Sequence, residues 1–395
     1  MNFIFISPHF PESNRLFCQS LRNNKVNVFG IGDQDYHLFS EELKQALTDY
    51  YKVSDLENFE EMLEACKYFI DNYGTIDRLE SLNEHWLVSD AGLRTYFGIE
   101  GIKKDEIMEI KRKSCMKKFY KQANVPFAKY LLVENFEIFE QAKKFTQTTG
   151  YPIVAKPDVG VGAGETFDLN TDEELEDFLL SKPPETFILE EFVPGNIITF
   201  DGITDSNSDI LYCTTHFLPV SLMDIVTKDL DVCYHSQITT PQIYSAGQRT
   251  LKAFSAKNRF FHLEFFLLDK DYPHFGQSGD VVALEANTRP GGAYIPDMID
   301  YAADIDIYQM WADMICYDKI NFVPEGPKYF CGYAGRKYNK IYRHSHEDIM
   351  EKYGENIVLT KEVEAIFSRA MGKYVYIFRA DDLQEIKEIT KYICQ

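Results

Sequence analysis

Apolar and polar positions in the first hundred residues switch between two periods. "NFIFIS" and "VNVFGIGD" are short apolar runs of strand type, separated by a polar stretch that carries Leu16 and Leu21. In "ENFEEMLEACKYFIDNYG", Phe59, Met62, Leu63, Cys66, Phe69 and Ile70 recur at three- and four-residue spacing, which predicts one apolar face of a helix. Together these read as a βαβ layer. The first strand runs into "SPHFPES" and not into G-x-G-x-x-G, so the dinucleotide fingerprint is absent. After a later strand, "SLNEHWL" carries Glu84 and His85, which could line a pocket at the carboxyl end of the sheet; a solvated turn is the commoner fate of such a segment.

A helix over "DEIMEIKRKSCMKKFYKQANVP" closes this layer, with Asn124 and Pro126 as its stop signal. A second unit follows: a helix "ENFEIFEQAKKFTQTTG" ending at Gly150, a strand "YPIVAK", and "PDVGVGAGET" with glycines at 160, 162 and 164. Next, "TFDLN" reads as a return strand, and the following helix starts at a capping box of Thr171 and Glu174. The glycines therefore form the tip of a hairpin, whereas a Walker-type loop would run straight into a helix. Backbone N–H groups of such a flap can lie over phosphates, with Lys156 at its root as a point charge. A plain hairpin with a snorkelling lysine accounts for the segment equally well.

Two further runs carry the chemistry. "FFHLEFFLLDK" is apolar on both faces apart from His262 and Glu264, the pattern of a strand buried on both sides with a carboxylate in its middle. In "LEANTRPGG", alternation puts Glu285, Asn287 and Arg289 on one face of a strand that stops in Pro-Gly-Gly. A symmetric hairpin about the linker Asp269 to Asp280 sets Glu264 opposite Glu285. Two facing carboxylates repel unless a proton or a cation lies between them. Magnesium takes a couple of carboxylates plus phosphate oxygens, and Asn287 adds a neutral oxygen, so with the flap and Lys156 upstream the metal reading is the better one.

Composition narrows the setting. The 395 residues, 45% of them hydrophobic, suffice for roughly two to three domains with a real core. A formal charge of −21 argues against a nucleic-acid partner. No run approaches the ~18 apolar residues of a membrane span, and "MNFIFISPHF" lacks a basic leader, so a cytoplasmic location without membrane attachment is expected. The eight cysteines contain no C-x-x-C pair, and reduced thiols are expected.

The order of these motifs resembles the ATP-grasp superfamily, in its carboxylate-amine ligase type, over most of the chain and most strongly from about Lys111 to Trp311. "KRKSCMKKFYKQANVP" is similar to the family's first nucleotide-binding helix, which implies a phosphate contact for Lys113. "YPIVAKPDVGVGAGE" is similar to its second lysine and flap, implying Lys156, Gly160, Gly162 and Gly164. "FILEEFVPG" resembles the hinge whose backbone meets the adenine edge, implying Glu190, Glu191, Phe192 and Val193. The two polar strands resemble the magnesium pair, implying Glu264, Glu285 and Asn287 as ligands and Arg289 facing the reacting phosphate or acyl group. Many members carry Gly-x-Glu after the hinge, with the Glu near the ribose; here Ile197 stands there, leaving Asn196 or Asp201 as substitutes.

The resemblance implies an α/β chain: an N-terminal Rossmann-like (pre-ATP-grasp) domain over 1–105, then an ATP-grasp fold of two α+β subdomains. The lid subdomain would span 106–190, the central subdomain with the metal site 191–325, and a C-terminal segment packing on them 326–395. It implies ATP and Mg2+, with Mn2+ as a stand-in, and an acyl-phosphate route that joins a small carboxylate to an amine, amino acids among the candidates; it also allows a homodimer. A small-molecule or carbamate kinase, or a non-catalytic ATP-binding regulator, would use the same scaffold. Two further substrate guesses are the polar loop from His216 to Gln248, with Asp224, Lys228, Asp231 and His235, and an anion site of Arg336, Lys337, Arg343 and His344.

Overall fold

The computed structural model describes residues 1–135, 138–160, 165–322, 326–363 and 365–395. The first layer is a parallel sheet of β1 (Asn2–Ile6), β2 (Asn27–Gly32), β3 (Asp49–Lys52) and β4 (Arg78–Glu80), in the order β3-β2-β1-β4. Alternation sends Phe3 and Phe5 to one face, against Phe17 of the helix Asn14–Asn23, and Ile4 and Ile6 to the other. There they meet Met62, Leu63, Cys66 and Phe69 of the helix Phe59–Tyr73, the face that the spacing predicts, except that Phe59 stays exposed. Strand order reverses between β1 and β4, which opens a crevice at their carboxyl ends.

The expected long helix before Pro126 is two helices, Lys104–Lys111 and Lys113–Ala123, broken at Arg112, whose ψ of 123° is extended. The reason lies far along the chain. Lys113 N–H donates to the Asp158 carbonyl at 2.9 Å and Ser114 N–H to Asp158 Oδ1 at 2.8 Å, so a residue at the flap root caps the second helix. That helix ends at Asn124 in the left-handed conformation, φ 52°, as its sequence signal implies.

A small antiparallel sheet follows, of β5 (Tyr130–Val133), β6 (Ile153–Pro157), β7 (Phe167–Leu169) and β8 (Phe187–Glu191), ordered β5-β8-β6-β7. β6 and β7 pair from Ile153–Leu169 to Ala155–Phe167, so the glycine-rich segment does join a hairpin; Gly162 and Gly164 lie outside the described residues. Only half of the capping box forms. Thr171 Oγ accepts from Glu174 N–H, while the Glu174 carboxylate turns to the Asn170 N–H.

The large sheet contains β9 (Asn196–Thr204), β10 (Ile210–Leu218), β11 (Val232–Gln237), β12 (Arg259–Leu267), β13 (Val281–Asn287), β14 (Phe330–Arg336), β15 (Ile357–Glu362) and β16 (Tyr374–Ala380). Its order is β13-β12-β9-β10-β11-β14-β16-β15, so the C-terminal strands continue the same sheet through the β11–β14 pairing. A buried triad fastens the first layer to it. Glu80 at the end of β4 takes Arg94 at 2.8 Å and both terminal nitrogens of Arg259, on β12, at 3.1 and 3.0 Å. Among the described residues, no helix is long and apolar enough to cross a membrane.

Candidate functional site

β12 and β13 pair antiparallel with Glu264 directly opposite Glu285 and His262 opposite Asn287, the register that a symmetric hairpin gives. A bulge follows at Glu264/Phe265, one residue too late to disturb the pair. Direct opposition puts both carboxylates on one face at close range, where each is compensated from outside the pair. Glu285 has Lys113 Nζ at 3.6 Å, and Glu264 has His262 Nε2 at 3.2 Å. Burial alone would raise the Glu264 carboxyl, but the bond and charge of His262, with Arg289 and Lys156 beyond, hold it below its ordinary value. Both side chains keep partial exposure, 27% and 22%, so oxygens remain reachable. Among the described residues no three His, Cys, Asp or Glu cluster as a closed metal site. A cation here would rest on two carboxylates and the Asn287 oxygen, an open donor set of the kind magnesium completes with phosphates and water.

Lysines flank the acidic pair. Lys113 heads its helix, with Nζ donating to the Gly160 carbonyl at 3.2 Å, which places it between flap and acidic pair. Lys156, next to last in β6, reaches Glu190 Oε2, on β8, at 2.6 Å. Glu190, whose backbone is the part expected at a base edge, buries its side chain between two lysines, with Lys117 in an ion pair with Oε1. Burial would raise the Glu190 carboxyl, yet Lys156 and Lys117 pull it down to about 2. Desolvation lowers Lys117 in turn, against the pull of Glu190. Lys117 escaped sequence reading, although its place one turn after Lys113 on the same helix face was a usable signal.

At the hinge, Glu191 Oε1 accepts the Lys129 N–H at 2.6 Å, Phe192 is half exposed, and Val193 packs with Ala128, Leu268 and Val282. Gly195, at φ 131°, allows the next turn, since a Cβ there would meet the Leu267 carbonyl at 2.6 Å. Asn196 opens β9 in an exposed position opposite Leu267. Asp201 fails as a ribose contact: it is fully buried, bonded to His262 Nδ1 at 2.6 Å and His216 Nδ1 at 2.9 Å.

Arg289 projects from the end of the same strand face and reaches the first layer. Its Nε donates to Glu84 Oε2 at 3.2 Å, and Lys111 Nζ lies 3.3 Å from Oε1. Glu84 is thus no solvated turn residue; it sits beyond the end of β4, at the crevice where strand order reverses, mostly buried. His85 does point outward, with Glu57.

The residues of the other two substrate guesses are engaged in local contacts. Residues 216–248 are not a loop but the end of β10, two helices and β11. His216 is buried on Asp201, Asp224 pairs with Lys228 at 2.6 Å, Asp231 holds Tyr342 at 2.7 Å, and His235 stacks on Phe217. Arg336 donates to the Ile393 carbonyl and lies over Tyr342, Lys337 donates to the Arg369 carbonyl, His344 stacks on Tyr392, and Arg343 uses its N–H to hold the Gln395 carbonyl. Arg336, Lys337 and His344 thus meet local partners, while the Arg343 contact is made by its backbone and not by its cation.

No family model matches the chain. Over 254 residues it is 24% identical to an L-arginine-specific L-amino acid ligase of Bacillus subtilis, a match covering 62% of this chain and 59% of that protein. A solved L-amino acid ligase from Bacillus licheniformis superposes with a TM-score of 0.73 at 14% identity, over 99% of this chain and 96% of that one. The biotin carboxylase domain of Hydrogenobacter thermophilus 2-oxoglutarate carboxylase, solved with MgADP and bicarbonate, gives 0.64 at 14% identity, over 98% and 88%.

Proposed function

We propose that this chain, an ATP-grasp protein by fold, is an ATP-dependent ligase that phosphorylates a small carboxylate and lets an amine displace the phosphate, forming a C–N bond and releasing ADP and phosphate. The observation that carries the reading is one continuous polar face. It runs from Lys156 and Lys113 through the Glu264–Glu285 pair to Arg289 and ends on Glu84 of the first layer.

In this reading Lys113, Lys156 and the backbone around Gly160, Gly162 and Gly164 hold the ATP phosphates. Glu191, Phe192 and Val193 border the base, and Asn196 stands nearest the ribose. Glu264, Glu285 and Asn287 would hold magnesium, whose chemistry is to neutralise charge on the phosphate oxygens. Phosphoryl transfer asks mainly for positioning and charge compensation. Lys156 supplies one charge by exchanging Glu190 for a phosphate, while Lys117 keeps Glu190 paired. Arg289 offers a planar fork to the acyl-phosphate oxygens, and Glu84 fixes that fork from the side. Amino acids are the substrates to try first, given the ligase of Bacillus subtilis, and a cytoplasmic setting suits a reaction that consumes ATP.

The test is to incubate the chain with ATP, Mg2+ and pairs of amino acids or small acids, and to follow ADP and phosphate. Release that needs both partners is the expected result. Release with one acceptor and a stable phosphorylated product would make it a kinase, and no release with any pair would leave a nucleotide-binding regulator.

A further inference from the structure

Behind Glu264 a row of polar side chains runs into the sheet where apolar ones would be expected. His262, two residues before it on the same face, places Nε2 3.2 Å from Glu264 Oε1 and Nδ1 2.6 Å from Asp201 Oδ1. Asp201 spends its second oxygen on His216 Nδ1 at 2.9 Å and the Thr199 hydroxyl at 2.5 Å. Register explains the alignment: Glu264 and His262 on β12 oppose Thr199 and Asp201 on β9, and Thr199 opposes His216 on β10. Thr199, Asp201 and His216 are 2, 0 and 0% exposed. Gly291 closes over the row, since a Cβ there would come within 2.9 Å of His262 Nδ1.

A carboxylate at zero exposure, with two imidazoles, is a costly way to fill the middle of a sheet. What the row achieves is orientation. Asp201, held by His216 and Thr199, has no freedom to rotate, so it fixes the His262 ring from the Nδ1 side. The ring in turn fixes one oxygen of Glu264. Outer partners that hold an inner ligand in this way are a general feature of metal sites.

We propose that Asp201 and His262 are positioning residues for the divalent cation: Asp201 sets the His262 ring, and the ring holds Glu264 Oε1, so that the carboxylate is presented in one orientation beside Glu285. The inference rests on the metal reading of the Glu264–Glu285 pair. It predicts that Asp201→Asn, nearly isosteric, leaves the fold and metal-free ADP binding alone while weakening the cation by roughly tenfold or more, the range for loss of such an outer partner.

Mn2+ is the probe, titrated into the full chain at saturating ADP and followed by electron paramagnetic resonance. ADP affinity without metal and a thermal melt are measured on the same samples. Expected is a Mn2+ dissociation constant at least tenfold higher in Asp201→Asn, with metal-free ADP affinity within about twofold of wild type. Equal Mn2+ affinity in wild type and variant overturns the inference and leaves the metal site standing. Absence of ADP-dependent Mn2+ binding in the wild type removes the metal reading itself, and the inference with it. Should Asp201→Asn not fold, His262→Asn, which keeps the Asp201–His216 bond, must show the same loss; full Mn2+ affinity there overturns the inference equally.

Discussion

Lys156 Nζ lies 2.6 Å from Glu190 Oε2, and the carboxylate that would have to release it for a phosphate is buried. An acid left alone at that depth is strongly unfavourable, so the exchange needs a second cation on Glu190, and Lys117 is that cation. Lys117→Met should therefore tie Lys156 to Glu190 and weaken a non-hydrolysable ATP analogue about tenfold, ~1.4 kcal/mol. Calorimetric titration measures it. An unchanged affinity would reduce Lys117 to a packing lysine among Tyr120 and Phe127.

Glu285→Gln keeps shape but removes half of the charge of the Glu264–Glu285 pair. It also leaves Lys113, 3.6 Å away, without its acid. Turnover should fall by about 10²-fold or more, the scale for losing a preorganised charge at a phosphoryl-transfer site. Higher Mg2+ should recover part of it. Turnover equal to wild type at every Mg2+ concentration would dismiss the pair as a metal site.

How much of this was legible in the sequence follows from the range of each interaction. Glu264 against Glu285 was readable because both lie on adjoining strands joined by one linker, so alternation and a symmetric hairpin fix their pairing. The flap hairpin was readable for the same reason. The break at Arg112 was not, because its cap comes from Asp158 on another element. Likewise the Asp201–His262 bond depends on β9 lying beside β12, a neighbour that no local pattern specifies. Glu84 reads locally as a turn residue or as pocket lining, and only Arg289, arriving from the large sheet, decides between them. Charged side chains gathered at a fold's centre are read poorly one residue at a time, since each looks like surface until its partner is placed.

Arg289 donates through Nε to Glu84 and through a terminal nitrogen to the Pro290 carbonyl at 2.8 Å, so part of its fork is already fixed before any substrate arrives. Lysine has no planar fork and cannot keep both contacts while reaching a third. Arg289→Lys should leave ATP affinity nearly unchanged and lower kcat by roughly 10². Glu84→Gln keeps the fork in place with a weaker bond and should cost less, about tenfold. Hydroxylamine trapping of the acyl phosphate, once a substrate acid is known, separates the two. Equal trapping in wild type and Arg289→Lys would confine Arg289 to anchoring its turn.

The helix Ile295–Ala303 that follows the Pro-Gly-Gly turn carries a stability switch of its own at Asp300. Burial raises its carboxyl from 3.8 to about 9, with Asp306 and Asp297 adding to the rise, although Oδ1 accepts the Ile307 N–H at 2.6 Å. Between those two values the folded chain holds a proton that the unfolded chain has lost. Stability contributed by this group is therefore complete below about pH 4 and declines as pH rises toward 9. Asp300→Asn keeps the acceptor for Ile307 and has no proton to lose. The variant should match wild type near pH 4.5 and exceed it at pH 8 by on the order of 5 kcal/mol, a gain of a few degrees in Tm. Thermal melts of both proteins across that range provide the measurement. Parallel curves, with the same difference at pH 4.5 and 8, would mean that Asp300 ionises in the folded chain as readily as in the unfolded one.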